Sequence, residues 1–233
     1  MQPTSKKPGA PKIVLMDVYE TLLDMSEIEK SVNRLMDARR GYIIWFELFM
    51  QYCFVDNCIG QFNNFASIAA ATMKMTGKML GTTISNSDVD GVLELLKHLP
   101  VHANVQEGLS ELNTVGMRVA ALTNSPASIV LERMERTGLI SYFETVLSAE
   151  AIKKYKPCIE VYAWAAETLE VLPNEILLVS AHGWDIAGGV NAGLQTAYLK
   201  QDKQMLYPLA PEPNYVCNSL IDLAKQFSKQ NEL

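Results

Sequence analysis

The sequence predicts an α/β fold: a doubly wound parallel sheet, a Rossmann-like core, with an all-helical cap inserted after its first strand. Three observations lead there. Residues 13–16, Ile-Val-Leu-Met, form a short apolar run suited to a strand buried on both faces, and they deliver a carboxylate, Asp17, to the strand's end. From Ser26 to about Pro100 several helical patterns follow one another without a convincing strand. Beyond Pro100, short apolar runs alternate with helical stretches of ten or more residues, the pattern of parallel strands joined by right-handed crossovers.

In order, residues 1–11 are polar and read as a disordered lead-in, with no apolar stretch of the kind a secretory signal needs. A strand at 12–17 follows. Ser26-Glu-Ile-Glu has the spacing of a capping box and starts the first cap helix. Residues 42–55 are apolar nearly all round, so as a helix they must be buried, either as cap core or as the face of a homodimer. Ser87-Asp-Val-Asp opens a further helix that runs to His98. The core then resumes with a helix at 106–115 and a strand at 117–123. Helix 126–137, strand 143–147, helix 157–170, strand 176–180, helix 184–192 and strand 196–199 complete the alternation. Residues 215–217 can add a last short strand, and 218–228 a final helix. Residues 12–24 and 101–233 are thus assigned to the core, and 25–100 to the cap.

With 233 residues, 48% of them hydrophobic, the chain can bury one sizeable core. A net charge of −6 with no basic stripe argues against nucleic acid or an anionic membrane as partner. Cys53, Cys58, Cys158 and Cys217 show no paired spacing and read as free thiols in a reducing compartment. No run approaches the ~18 apolar residues of a membrane span. The expectation is a soluble, cytoplasmic protein.

Chemistry-bearing side chains collect where strands end. The first strand ends at Asp17, the second at Thr123-Asn124, and the fourth at Ser180-Ala181-His182-Gly183-Trp184-Asp185; Lys156-Pro157 precedes the helix that carries Tyr162. In a parallel sheet these ends converge on one edge, where such folds bind ligands. A carboxylate, a hydroxyl, an amide, an ammonium, an imidazole and a second carboxylate can then share one pocket.

In order and spacing, these groups resemble the four motifs of the haloacid dehalogenase (HAD) superfamily, over residues 12 to about 225. Tyr19 stands where the superfamily's phosphatases carry a second Asp, and Ala181 stands at the first of two acidic places that hold magnesium. The pattern Asp17-Val18-Tyr19-Glu20-Thr21, with the later motifs, is instead similar to the L-2-haloacid dehalogenase branch. That resemblance implies a hydrolase of short L-2-haloacids that requires no metal or other cofactor. Asp17 would displace halide from the substrate and water would hydrolyse the resulting ester. Lys156 would keep Asp17 ionised, while Ser180 and Asp185 keep Lys156 and the water in place. Thr21, Thr123 and Asn124 would receive the substrate carboxylate and halide, and one of the adjacent cap residues Arg39 and Arg40, with Arg39 favoured, would also meet the halide. Tyr19, Tyr162 and Trp184 would line the pocket, although Trp184 equally suits helix-to-sheet packing.

Two positions depart from the branch. Glu20 stands in place of its Gly and His182 in place of its Asn. A His oriented by a carboxylate is a general-base pair, which suggests that Glu20 orients His182 to activate the water. The plainer reading is that Glu20 caps the cap hinge and His182 fills a slot. The aromatic stripe Tyr42, Trp45, Phe46 and Phe49 reads as core, and His98 and His102 as solvated loop residues. A magnesium-dependent phosphatase or phosphonatase-like hydrolase, and a non-catalytic HAD-fold binding protein, are the alternative functions.

Overall fold

The computed structural model describes residues 9–228. Six parallel strands form one sheet in the order β3-β2-β1-β4-β5-β6. They are β1 (Ile13–Met16), β2 (Arg118–Thr123), β3 (Thr145–Ser148), β4 (Ile176–Ser180), β5 (Gln195–Leu199) and β6 (Tyr215–Cys217). All four residues of β1 are 0% exposed, which explains why a strand so short can be continuously apolar. Ile13 and Leu15 pack into one cluster, with Tyr162 and Ala165; Val14 and Met16 join the other, larger cluster. Each such side chain contributes about 1.5–3 kcal/mol relative to remaining in water. Because β2 and β4 flank β1 on opposite sides, the chain reverses its winding there. The crevice that results lies at the carboxyl end of β1, beside Asp17.

Between β1 and β2 come four helices: α1 (Ser26–Leu35), α2 (Gly41–Ile59), α3 (Phe65–Met79) and α4 (Asn86–Leu95). The core helices are α5 (Val105–Thr114), α6 (Ala127–Arg136), α7 (Ile159–Thr168), α8 (Gly183–Asn191) and α9 (Leu220–Ser228). Two predicted helix starts need correction. Ser26 is already inside α1, because the side chain of Asp24 takes the Ser26 N–H at 2.8 Å. The capping box of α4 is made by Ser85 with Asp88, two residues ahead of Ser87. Residues 1–8 of the predicted lead-in lie outside the described residues; of the rest, the Gly9 carbonyl accepts from Gln195 Nε2 at 2.8 Å.

α2 buries Tyr42, Trp45, Phe49, Met50 and Cys53, and no described helix is long and apolar enough to cross a membrane. The four cysteines are unbridged. The connection from β5 to β6, residues 200–214, forms a strap over the start of α8. A Cβ on Gly183 would lie 2.1 Å from the Met205 carbonyl oxygen, so only glycine admits the strap. Tyr198 OH donates to the Gln204 carbonyl at 2.8 Å, and Lys203 Nζ reaches both Glu29 oxygens, at 2.7 and 2.8 Å, on α1.

Candidate active site

Strand pairing fixes Asp17, whose N–H donates to the Val179 carbonyl at 2.9 Å. Its two carboxylate oxygens are held differently. Among the described residues, Oδ1 accepts only from Lys156 Nζ, at 2.8 Å. Oδ2 accepts from Thr21 Oγ1 at 2.7 Å and Ser180 Oγ at 3.4 Å, and lies 3.1 Å from His182 Nδ1. Lys156 is 1% exposed and also donates to Asp185 Oδ2 at 2.7 Å. Asn124 splints its backbone: Oδ1 accepts from Lys156 N at 2.7 Å, and Nδ2 donates to the Lys156 carbonyl at 3.4 Å. Behind Asp185, Tyr162 OH donates to Oδ1 at 2.6 Å. Gly188 allows α8 to come this close, since a Cβ there would sit 2.6 Å from that hydroxyl.

Burial would raise the pKa of Asp17, but the Lys156 ammonium and the His182 contact outweigh it and hold the carboxyl well below the usual range. Burial likewise opposes the Lys156 cation, and Asp17 and Asp185 together raise its pKa nonetheless. A buried carboxylate–ammonium–carboxylate chain persists because each charge has its partner; removing one member of such a set typically costs about 3–5 kcal/mol.

His182 occupies the N-cap of α8 and is sandwiched between Phe46 and Trp184, with ring centroids 5.9 and 5.0 Å away. Nδ1 faces Asp17 and Nε2 lies 2.9 Å from Glu20 Oε2. An imidazole with a carboxylate at each nitrogen satisfies both only as the imidazolium. Burial disfavours that cation, but the hydrogen bonds and charges of Asp17 and Glu20 push the pKa up to about 10. A pKa raised on folding stabilises fully below the unfolded value, 6.5, and that contribution is lost as pH rises through about 10. The melting temperature is therefore expected to fall between those two pH values, and His182→Asn should flatten the fall in a pH series of thermal melts.

Glu20 has φ 59°, a left-handed backbone that L side chains adopt at a cost of about 1–3 kcal/mol and that clusters at functional sites. Its Oε1 accepts from Tyr42 OH at 2.7 Å, and its Oε2 from Gln204 Nε2 at 2.6 Å. Burial pulls its pKa up, yet His182 and Tyr42 leave it below the ordinary glutamate value.

Above Asp17 lies a cavity of about 40 Å³, room for about three waters. Strand ends supply most of its floor, Asp17, Thr123, Asn124 and His182, and the loop before α7 supplies Lys156. The cap supplies its apolar roof, chiefly Trp45, Phe46, Phe49, Met50 and Phe65.

The structure thus brings most of the sequence-predicted residues to one place, in three groups. Asp17, Tyr19, Thr123, Asn124, Lys156, His182 and Trp184 line the cavity. Thr21, Ser180, Tyr162 and Asp185 stand behind it, their polar groups bonded to Asp17, Lys156 or each other; Thr21 and Tyr162 are therefore not cavity contacts as predicted. Glu20 sits on the far side of His182. Arg39 is not brought in: it lies exposed in the turn between α1 and α2, where a guanidinium without a buried partner stays in water. The aromatic stripe, expected to be plain core, is also roof, and Tyr42 bonds to Glu20. Gln204 went unread, since nothing in its segment carries a motif and it lies 184 residues from its partner.

A sequence model of the haloacid dehalogenase-like hydrolases matches residues 11–193. An (S)-2-haloacid dehalogenase of Xanthobacter autotrophicus is 27% identical over 188 residues, 80% of this chain and 74% of that protein. (S)-2-haloacid dehalogenase 4A of Burkholderia cepacia is 26% identical over 212 residues, 90% of this chain and 91% of that one. The structure of the L-2-haloacid dehalogenase from Xanthobacter autotrophicus with chloropropionic acid covalently bound superposes with a TM-score of 0.84 at 23% identity, covering 94% of this chain and 98% of that one.

Proposed function

Because this chain belongs to the haloacid dehalogenase-like hydrolases, we propose that it is a cytoplasmic hydrolytic dehalogenase of short L-2-haloacids, working through an ester on Asp17. The observation that carries this reading is the unequal holding of the Asp17 oxygens. Among the described residues Oδ1 has one partner and is the less restrained oxygen for attack; Oδ2 has three.

Oδ1 displaces halide from the α-carbon from behind, inverting it. A carboxylate needs no proton removed for this, and Lys156 keeps it ionised. Thr123 and Asn124 meet the substrate carboxylate. With Arg39 outside the cavity, the departing halide is met by the weakly positive edges of the roof aromatics. In the ester Oδ2 is the carbonyl oxygen, and charge builds on it when water adds to the carbonyl carbon. Thr21 and Ser180 are then already aimed at that oxygen.

His182 enters this cycle as a cation, and it must give up its Nδ1 proton before it can take one from water. Esterification removes the Asp17 charge that held that proton. The net reaction, haloacid and water to hydroxy acid, halide and a proton, releases one proton per turnover. Halide release should accordingly be flat across roughly pH 6–9, while ester hydrolysis rises with pH as His182 deprotonates. Quenched-flow measurement of both phases checks the split.

The primary test is incubation with bromoacetate and a chelator. The wild type should release bromide undiminished. No bromide defeats the reading, and phosphate-ester hydrolysis that the chelator abolishes would point to a phosphatase instead.

A further inference from the structure

The water-activating step needs Glu20 as an anion against His182, and nothing in the Glu20 backbone secures that. The Glu20 side chain has His182, part of the cavity wall, on one side and a second pocket on the other. That pocket, of about 390 Å³, is lined among others by Asp24, Glu29, Glu47 and Asp202. Burial and the charge of Asp17 both favour a proton on Glu20. Glu20 must not take that proton.

Two donors oppose that outcome. Tyr42 OH, from cap helix α2, is 2.7 Å from Oε1; Gln204 Nε2, from the strap, is 2.6 Å from Oε2. Both are held from behind. The Tyr42 ring stacks on Phe46, with centroids 5.8 Å apart. Gln204 is fixed by the Tyr198 hydrogen bond to its carbonyl and by the closeness of Met205 to Gly183, the residue after His182. With His182 Nε2 at 2.9 Å, Glu20 is thus gripped by three donors arriving from the cap, the strap and the α8 N-cap.

We propose that Tyr42 and Gln204 are positioning residues of the hydrolytic step, acting through Glu20 by holding its carboxylate on the Nε2 edge of His182. This rests on the dehalogenase reading for its catalytic meaning, though not for its geometry. The charged groups around the pair set the sign of its pH response. His182 is faced by Asp17 and Glu20, and by the uncharged ring of Phe46 from the cap. Glu20 is faced by Asp17 within, and by Asp24, Glu47, Asp202 and His102 without; Glu29 is neutralised by Lys203. Without its two donors Glu20 takes a proton or turns outward. Either way His182 loses one of its two anions, and its pKa falls.

The test uses Tyr42→Phe, Gln204→Met and the pair of substitutions together, each close in shape to the original. In the free enzyme, nitrogen NMR of the imidazole should show wild-type His182 doubly protonated through the neutral range, with a midpoint near 10. The double variant's midpoint should drop by about one pH unit or more. With bromoacetate, its first equivalent of bromide should appear within about twofold of the wild-type rate, and ester hydrolysis, compared on the high-pH plateau where His182 is neutral in both proteins, should slow by about tenfold or more. Packing changes alone would not move the imidazole midpoint. A double variant with both the midpoint and the hydrolysis rate of the wild type overturns the inference. Failure of the wild type to release bromide defeats the dehalogenase reading instead, and leaves the NMR result to decide whether the two residues position Glu20.

Discussion

Asp17→Asn should abolish halide release, lowering it by at least about ten-thousand-fold, the scale on which losing a covalent nucleophile acts. Asn keeps the shape of Asp17, so the cavity and the bond from Thr21 can survive. It loses the attacking charge, and its amide nitrogen must face either the Lys156 ammonium or the His182 edge. The effect therefore reports chemistry and charge, with folding checked by thermal melting. The companion measurement uses wild type in oxygen-18 water. In a single turnover the product hydroxyl should carry ordinary oxygen, because that oxygen comes from Asp17, and the label should appear in the peptide that contains Asp17. Label in the first-turnover product would mean direct attack by water and would end the ester mechanism.

His182→Asn should separate the two half-reactions. Asp17, still paired with Lys156, should release a single equivalent of halide, after which the ester should accumulate; hydrolysis should slow by about 10²–10⁴-fold, the usual worth of a general base. The substitution also removes the cation between Asp17 and Glu20 and leaves Glu20 a buried carboxylate short of a partner. Some loss of stability should accompany it. Adding Glu20→Gly removes that orphaned charge and relaxes the left-handed backbone at position 20. The double variant should then melt higher than His182→Asn alone. Steady turnover at the wild-type rate in His182→Asn would end its role in activating water.

How much of this could be read from the chain follows from where information sits in a parallel sheet. β1, β2 and β4 end in polar residues because strand ends are where the buried sheet meets the crevice. A single pass along the sequence therefore finds Asp17, Thr123, Asn124, Ser180 and His182. Lys156 is found through its neighbours Pro157 and Tyr162. What fails is orientation. Thr21 and Tyr162 have the right types and offsets, yet their hydroxyls serve Asp17 and Asp185, because sequence gives a residue's address and not the direction of its χ angles. Arg39 fails on the same ground: the turn that ends α1 points it outward. The helix starts at Ser26 and Ser87 fail because a competing cap lay two residues upstream in each case. Gln204 fails for another reason: its contact with Glu20 depends on how the strap packs on Gly183, a tertiary fact with no local signature.

The division of the cavity between floor and roof has a consequence for how this protein can diversify. Residues that perform bond-making come from strand ends and one loop spread along the core, whereas most of the apolar roof comes from α2 and the start of α3, within the contiguous segment 45–65. Reactivity and selectivity are therefore written in separable parts of the gene. A library confined to Trp45, Phe49, Met50 and Phe65 can reshape which side chains are admitted while leaving Phe46, which stacks on His182, and the charge chain from Glu20 to Asp185 in place. Exchange of that segment between homologues would carry most of the roof with it.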